Sequence, residues 1–175
     1  MRSFTPFFNL RLLAAVSAIA LSGCANYHLG ASGPLQFHTL YVEPTRVLAL
    51  VPQAAAPTTE MLRQSLLQEG NLQLSNQADA DATLEIVLVD YQRGAAATQQ
   101  NNSLNAESFT LTLTASCTLV DNRSGKTYFK DRRVDVTEQA FVQNGVSFNE
   151  SEYQAMPRLA RDLSNKIKDT IISTW

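Results

Sequence analysis

Glu107–Val120 reads ESFTLTLTASCTLV, and this stretch decides the fold. Phe109, Leu111, Leu113, Ala115, Cys117 and Leu119 alternate with Thr110, Thr112, Thr114, Ser116 and Thr118. Successive side chains of an extended chain point to opposite faces, so a period of two means a strand with one buried and one solvated face. A sheet built on such a strand takes its helices on the apolar face only.

Downstream, Asp121-Asn122-Arg123-Ser124-Gly125 is a tight hairpin turn, and a further strand follows over Lys126–Val136. Upstream, Thr83–Arg93 (TLEIVLVDYQR) is a strand with Leu84, Ile86 and Leu88 on one face and Glu85, Val87, Val89 and Tyr91 on the other. Between these strands Gly94–Ala106 (GAAATQQNNSLNA) is polar, aromatic-free and low in complexity, which predicts a long mobile loop. Thr39–Glu43 (TLYVE) is a first strand closed by Pro44. Pro57-Thr58-Thr59 opens a helix with Thr58 or Thr59 as cap and Gly70 as stop, and Met61, Leu62, Ser65, Leu66 and Glu69 along its inner side. Leu72 and Leu74 add a few extended residues.

In the last segment Ser151 is the expected cap, with Gln154 as its capping-box partner. Pro157 either starts the main helix or kinks a longer one. Leu159, Ala160, Leu163, Ile167 and Ile171 recur at helical spacing, opposite Arg158, Arg161, Asp162, Lys166 and Lys168. The order β-α-β-β-β-α predicts one α+β domain over residues 39–175, with two helices packed on one face of a small four-stranded mixed or antiparallel sheet.

The chain ahead of this domain has a different character. Arg2 and Arg11 precede the apolar run Leu12–Leu21, which is too short for a bilayer span and has signal-peptide length. It ends in Leu21-Ser22-Gly23-Cys24, which resembles the lipobox read by lipoprotein signal peptidase. Residues 1–23 are therefore expected to be a signal peptide, Cys24 the lipid-attachment residue, and 24–38 a tether with Gly30, Gly33 and Pro34 as breakers. Acyl chains contribute about 0.8 kcal/mol per buried methylene, so such an anchor holds. Ala25 stands where Asp would signal inner-membrane retention, which favours an outer-membrane address.

Composition excludes several classes. The signal segment carries Arg2 and Arg11 of the 14 Lys+Arg, so the remaining chain holds 12 basic against 16 acidic residues, a net −4. That balance argues against nucleic acid as a partner. With Cys24 lipidated, Cys117 is the one other cysteine, so no intramolecular disulfide forms, and its place on the apolar face makes it a small buried hydrophobe.

Motifs for chemistry are weak. Ser124-Gly125-Lys126-Thr127 matches the tail of a phosphate-binding loop, but Val120 stands where its first glycine belongs, and a strand follows instead of a helix. His28 and His38 lack ligand spacing, and Asp79 and Asp81 lack a calcium loop around them, so no metal or cofactor is expected. No nucleophile–base pattern points to an enzyme.

Two features exceed what folding needs. Arg123, Lys126, Lys130, Arg132 and Arg133 gather basic charge on one hairpin of an acidic chain. They are either a solvated hairpin, with Asp121, Asp131 and Asp135 neutralising part of it, or contacts to phosphorylated lipid. Arg46–Val51 (RVLALV), between Pro44 and Pro52, either continues the first strand or is an exposed binding segment.

Cys24, then Asn26-Tyr27-His28-Leu29-Gly30, a helix ending Glu69-Gly70, Ala78-Asp79-Ala80-Asp81-Ala82-Thr83-Leu84 and Asp90-Tyr91-Gln92-Arg93 follow one another in an order that resembles the LptE family of lipopolysaccharide-assembly lipoproteins. The resemblance covers essentially the whole mature chain. It implies a small sheet with two helices, a periplasm-side anchor in the outer membrane, and a plug and assembly role inside an LptD-like β-barrel that delivers lipopolysaccharide to the outer leaflet. The 94–106 segment and the 46–51 stretch depart from that pattern. An auxiliary lipoprotein of an ABC-type lipid transporter pairs a lipobox with a similar domain and is the alternative.

Overall fold

The computed structural model describes residues 36–70, 72–99, 102–142 and 147–173. The signal segment, Cys24 and the tether as far as residue 35 lie outside the described residues. The elements are β1 (Thr39–Val42), β2 (Arg46–Val47), α1 (Ala55–Leu67, led by a 3-10 turn Pro52–Ala54), β3 (Gln73–Leu74), β4 (Ala82–Gln99), β5 (Asn102–Asp121), β6 (Thr127–Phe141) and α2 (Phe148–Ile172). They form an α+β fold with one mixed sheet.

Among the described residues the sheet has six strands in the order β3-β1-β4-β5-β6, with β2 also paired to β4. Four strands were expected; β2 and β3, two residues each, are the additions. They are too short for an alternation pattern and exist because neighbouring strands supply backbone partners. β1 pairs in parallel with β3 and β4, as β2 does with β4, whereas β4–β5 and β5–β6 are antiparallel.

The segment Gly94–Ala106 is a correction. Its described residues are not a loop but the far end of the β4–β5 hairpin, where Gly94 pairs with Thr110, Ala95 with Phe109 and Gln99 with Asn102. Register shifts between Ala95 and Gln99 let the ladder continue. Backbone groups pair whatever the side chains are, so a polar strand carries no alternation for a sequence reading to find.

Leu84, Ile86 and Leu88 of β4 and Leu111, Leu113, Ala115, Cys117 and Leu119 of β5 are all buried under the helices, as the period of two predicts. The pattern breaks at Val89, a bulge between Leu88 and Asp90. Beyond it Tyr91 pairs with Leu113 and Arg93 with Leu111, so both stand on the helix-covered face. The expected outward placement of Tyr91 is thereby reversed, because one extra residue exchanges the faces of everything that follows.

Both helix starts differ from expectation. Helix α1 begins at Ala55 with Ala54 as an N-cap that makes no side-chain hydrogen bond, and Thr58 and Thr59 are buried within it. Pro57 falls in the first turn, where a missing N–H costs nothing. Thr59 Oγ1 instead accepts from the Thr45 N–H at 2.9 Å and lies 2.8 Å from Thr45 Oγ1, pinning the chain after β1 to the helix. Gly70 follows the helix end with φ 69°, the left-handed conformation a glycine adopts without a Cβ penalty.

Helix α2 is capped by Ser147, whose side chain accepts from the Glu150 N–H at 3.3 Å. Ser151, the expected cap, is buried one turn inside. Ser147-x-x-Glu150 matches the capping-box pattern too. Pro157 lies inside the helix on its exposed side, near exposed Tyr153, whose carbonyl loses its intrahelical donor to the proline. Leu159, Ala160, Leu163, Ile167 and Ile171 are all buried, and Ser164 Oγ donates to Thr58 O at 3.1 Å to join the two helices.

Candidate lipid-contact surface

The β5–β6 turn is built by its own acid. Asp121 Oδ1 accepts from the Arg123 and Ser124 N–H groups at 2.8 Å each, Gly125 takes φ 69°, and Tyr128 donates to Asp121 Oδ2 at 2.9 Å. These donors, Ser124 N–H first and the Tyr128 hydroxyl next, hold the Asp121 carboxyl below its usual range. Burial, with the Asp121 carboxylate, pushes the Tyr128 phenol up to about 12. Asp81 Oδ2 accepts from His38 and Thr39 N–H at 3.0 and 3.1 Å, and Asp81 is ion-paired with Arg123. The His38 and then the Thr39 N–H keep the Asp81 carboxyl below its usual range. Asp79 and Asp81 are thus turn-formers: Asn76 Nδ2 donates to Asp79 Oδ2 at 2.8 Å.

The five predicted cations do not form one surface. Arg123 is tied to Asp81. Lys126 Nζ stands 5.3 Å from the Tyr128 ring centre and 3.5 Å from Gln36 Oε1. Arg132 lies over Phe129 at 5.7 Å. Arg132 pairs with Cys117 and Arg133 with Ser116, so these neighbours point to opposite faces of the sheet. Lys130 is exposed beside Asp131, whose φ of 51° marks the irregularity in the β5–β6 register.

A second polar group was not anticipated. Glu152, buried on α2, accepts from Tyr91 Oη at 2.7 Å through Oε1 and pairs with Arg93 at 3.3 Å through Oε2. Arg93 lies over both the Tyr91 and Phe148 rings, and Phe148 meets Phe109 with centroids 4.0 Å apart. No sequence signal marks this cluster, because it depends on the Val89 bulge. Its chemistry is that of a clamp between the hairpin and the start of α2.

Arg46–Val51 is part strand and part exposed. Arg46 and Val47 continue the strand against Val87 and Leu88, and Arg46 is ion-paired with Glu85. Val51 is then buried, while Leu48 and Leu50 are 77% and 91% exposed. Cys117 is buried, and burial pushes its thiol up to about 12, far from reactive. Among the described residues no group of three or more His, Cys, Asp or Glu could hold a metal ion, and no helix is long and apolar enough to cross a membrane.

This mixed sheet with two helices on one face is the architecture of several small lipoproteins. A minor lipoprotein from Acinetobacter baumannii shares the fold at 17% identity and a TM-score of 0.52, over 80% of this chain and 94% of that one. Rare lipoprotein B from Shewanella oneidensis does so at 8% identity and TM-score 0.50 over 78% and 96%, and an uncharacterized lipoprotein B from Nitrosomonas europaea at 13% and 0.50 over 79% and 82%. No curated protein matches the sequence. Residues 37–171 match the lipopolysaccharide-assembly family LptE, and the chain belongs to it. The family is one of non-enzymatic lipoproteins.

Proposed function

We propose that the protein is an outer-membrane lipoprotein, anchored on the periplasmic side through Cys24, that plugs and helps assemble an LptD-like β-barrel and aids delivery of lipopolysaccharide to the outer leaflet. The observation that carries this reading is the family match, which spans nearly the whole described domain. The open sheet face agrees with it. Thr110, Thr112, Thr114, Ser116 and Thr118 of β5 are neither fully buried nor fully exposed, and Thr112 Oγ1 lies 3.3 Å from Thr137 Oγ1 on β6. A hydroxyl-rich face suits the polar lumen of a barrel better than lipid.

Within that role Arg123, Lys126, Lys130, Arg132 and Arg133 are proposed lipopolysaccharide-phosphate contacts, Lys as point charge and Arg as fork. Pull-down from detergent-solubilised membranes tests the main assignment. Recovery of a large β-barrel supports it. Recovery of an inner-membrane permease complex overturns it in favour of an auxiliary component of an ABC-type lipid transporter.

A further inference from the structure

Helix α2 is one helix in its backbone ladder and two in what holds it down. Pro157 divides it. After the proline, Leu159, Ala160, Leu163, Ile167 and Ile171 are fully buried, and Ser164 bonds α1. Apolar burial of that kind is lost only when the core itself opens. Before the proline, over Phe148–Met156, the buried residues are Ser151, Glu152, Ala155 and Met156, two of them polar. This arm is held to the β4–β5 hairpin by side-chain contacts. Glu152 accepts from Tyr91 at 2.7 Å and pairs with Arg93 at 3.3 Å, and the Phe148 ring meets Phe109 at 4.0 Å. Arg93 lies 5.6 Å from the Tyr91 ring centre and 5.8 Å from that of Phe148, yet its side chain is 47% exposed, so water reaches the cluster without the core opening. Pro157 has no N–H to give the Tyr153 carbonyl, so one ladder bond joining the arm to the rest of the helix is missing. Helices bend where the ladder is interrupted. Arg158, directly beyond the break, is paired with Glu138 of β6, which fixes the far side of it.

We propose that residues 148–156 form a strap, hinged at Pro157 and latched by Glu152 to Tyr91 and Arg93, that lifts from the hairpin while the rest of the domain stays folded. Fastened, the strap covers the helix side of Tyr91, Arg93 and Phe109. Lifted, it uncovers those side chains and frees the start of α2 to be placed anew. The hairpin end thereby has two arrangements over one unchanged core, and a local opening of this kind needs far less free energy than unfolding. The device is independent of the assembly role proposed above and of the lipid anchor.

Native-state hydrogen exchange of the intact protein, read residue by residue by NMR, tests this. The amides of Glu152–Met156 should exchange on the order of tenfold or more faster than those of Leu163–Ile171, at rates that low urea barely changes. Ile167→Val removes one methylene from the core. It should speed exchange over Leu163–Ile171 by up to about tenfold and leave the strap amides unchanged. Tyr91→Phe removes a donor from the latch and should speed the strap amides roughly tenfold to a hundredfold. Pro157→Ala supplies the missing ladder bond and should slow them. Strap and core amides that exchange alike in the parent, or that Ile167→Val speeds alike, make α2 one cooperative unit and overturn the inference. Unchanged strap exchange in Tyr91→Phe overturns the latch, and strap exchange that Pro157→Ala does not slow overturns the hinge.

Discussion

Tyr91 donates its phenolic hydrogen to Glu152 Oε1 at 2.7 Å, across 61 residues of sequence, because the bulge at Val89 has turned Tyr91 to the helix side. Together with Arg93 on Oε2 this satisfies a carboxylate that α2 buries. A buried charge is tolerable only when its oxygens are occupied.

Tyr91→Phe removes one of those donors without changing the shape. It should cost about 1.5–3 kcal/mol, the range for a hydrogen bond to a charged group. In a cycle with Glu152→Gln the two losses should be less than additive. Urea denaturation measures both, and full additivity would show that the two side chains do not act together.

Leu113 is fully buried, and Thr112 beside it faces the open side. Leu113→Ala should cost ~2–5 kcal/mol. Thr112→Ala loses a cross-strand threonine pair worth ~0.2–1 kcal/mol. Comparable losses in denaturant melts of the isolated protein would mean that both sheet faces are covered.

Thr58 Oγ1 is buried and has no hydrogen-bond partner among the described residues, although the Thr58 carbonyl accepts from Ser164. Thr58→Val replaces the hydroxyl by a methyl of the same shape and should be neutral or stabilising, by up to about 1 kcal/mol. A clear loss of stability would mean that the hydroxyl is satisfied in solution.

Asp81 and Asp121 both have folded-state pKa values below the ordinary carboxylate range, Asp81 through the His38 and Thr39 N–H groups, Asp121 through Ser124 N–H and the Tyr128 hydroxyl. A depressed folded pKa contributes stability above the unfolded value, near ~4, and loses it as pH falls through the folded value. Thermal melts should therefore drop as the solution is acidified below about pH 4. Asp81→Asn should be less stable at neutral pH and show a shallower acid limb; an unchanged limb would refute the role assigned to Asp81.

Cys24→Ala should abolish lipid attachment and lipoprotein processing. Growth with a fatty-acid probe followed by gel fluorescence reads this directly, and a labelled variant protein would refute the anchor. A plug held by protein contacts should keep part of its function without the lipid.

Where a side chain's position followed from its immediate neighbours, the sequence was legible. Leu111, Leu113 and Leu119 are buried as their alternation with threonine requires, and Leu159, Leu163 and Ile167 as their helical spacing requires. Caps were less so. Thr58, Thr59 and Ser151 carry the right chemistry, yet Ala54 and Ser147 occupy the cap positions, because the helices extend to meet their tertiary contacts. The basic hairpin was legible as composition and illegible as a surface. That Arg132 and Arg133 diverge, and that Lys126 touches Gln36, depends on register and on which strand end the N-terminus meets.

By itself the sequence determined the α+β class, the apolar and polar faces of β5, the buried side of α2, and the family. Each rests on periodicity or on order along the chain, which burial translates directly into structure. Only the tertiary structure decided that residues 94–99 and 102–106 are strand, that Tyr91 turns inward to Glu152, and that Gln36 lies beside Lys126 at the basic turn. The physical reason is common to all three. Ladder hydrogen bonds, a bulge and the parallel placement of β1 are pairings between distant backbone segments, and backbone groups are the same at every residue.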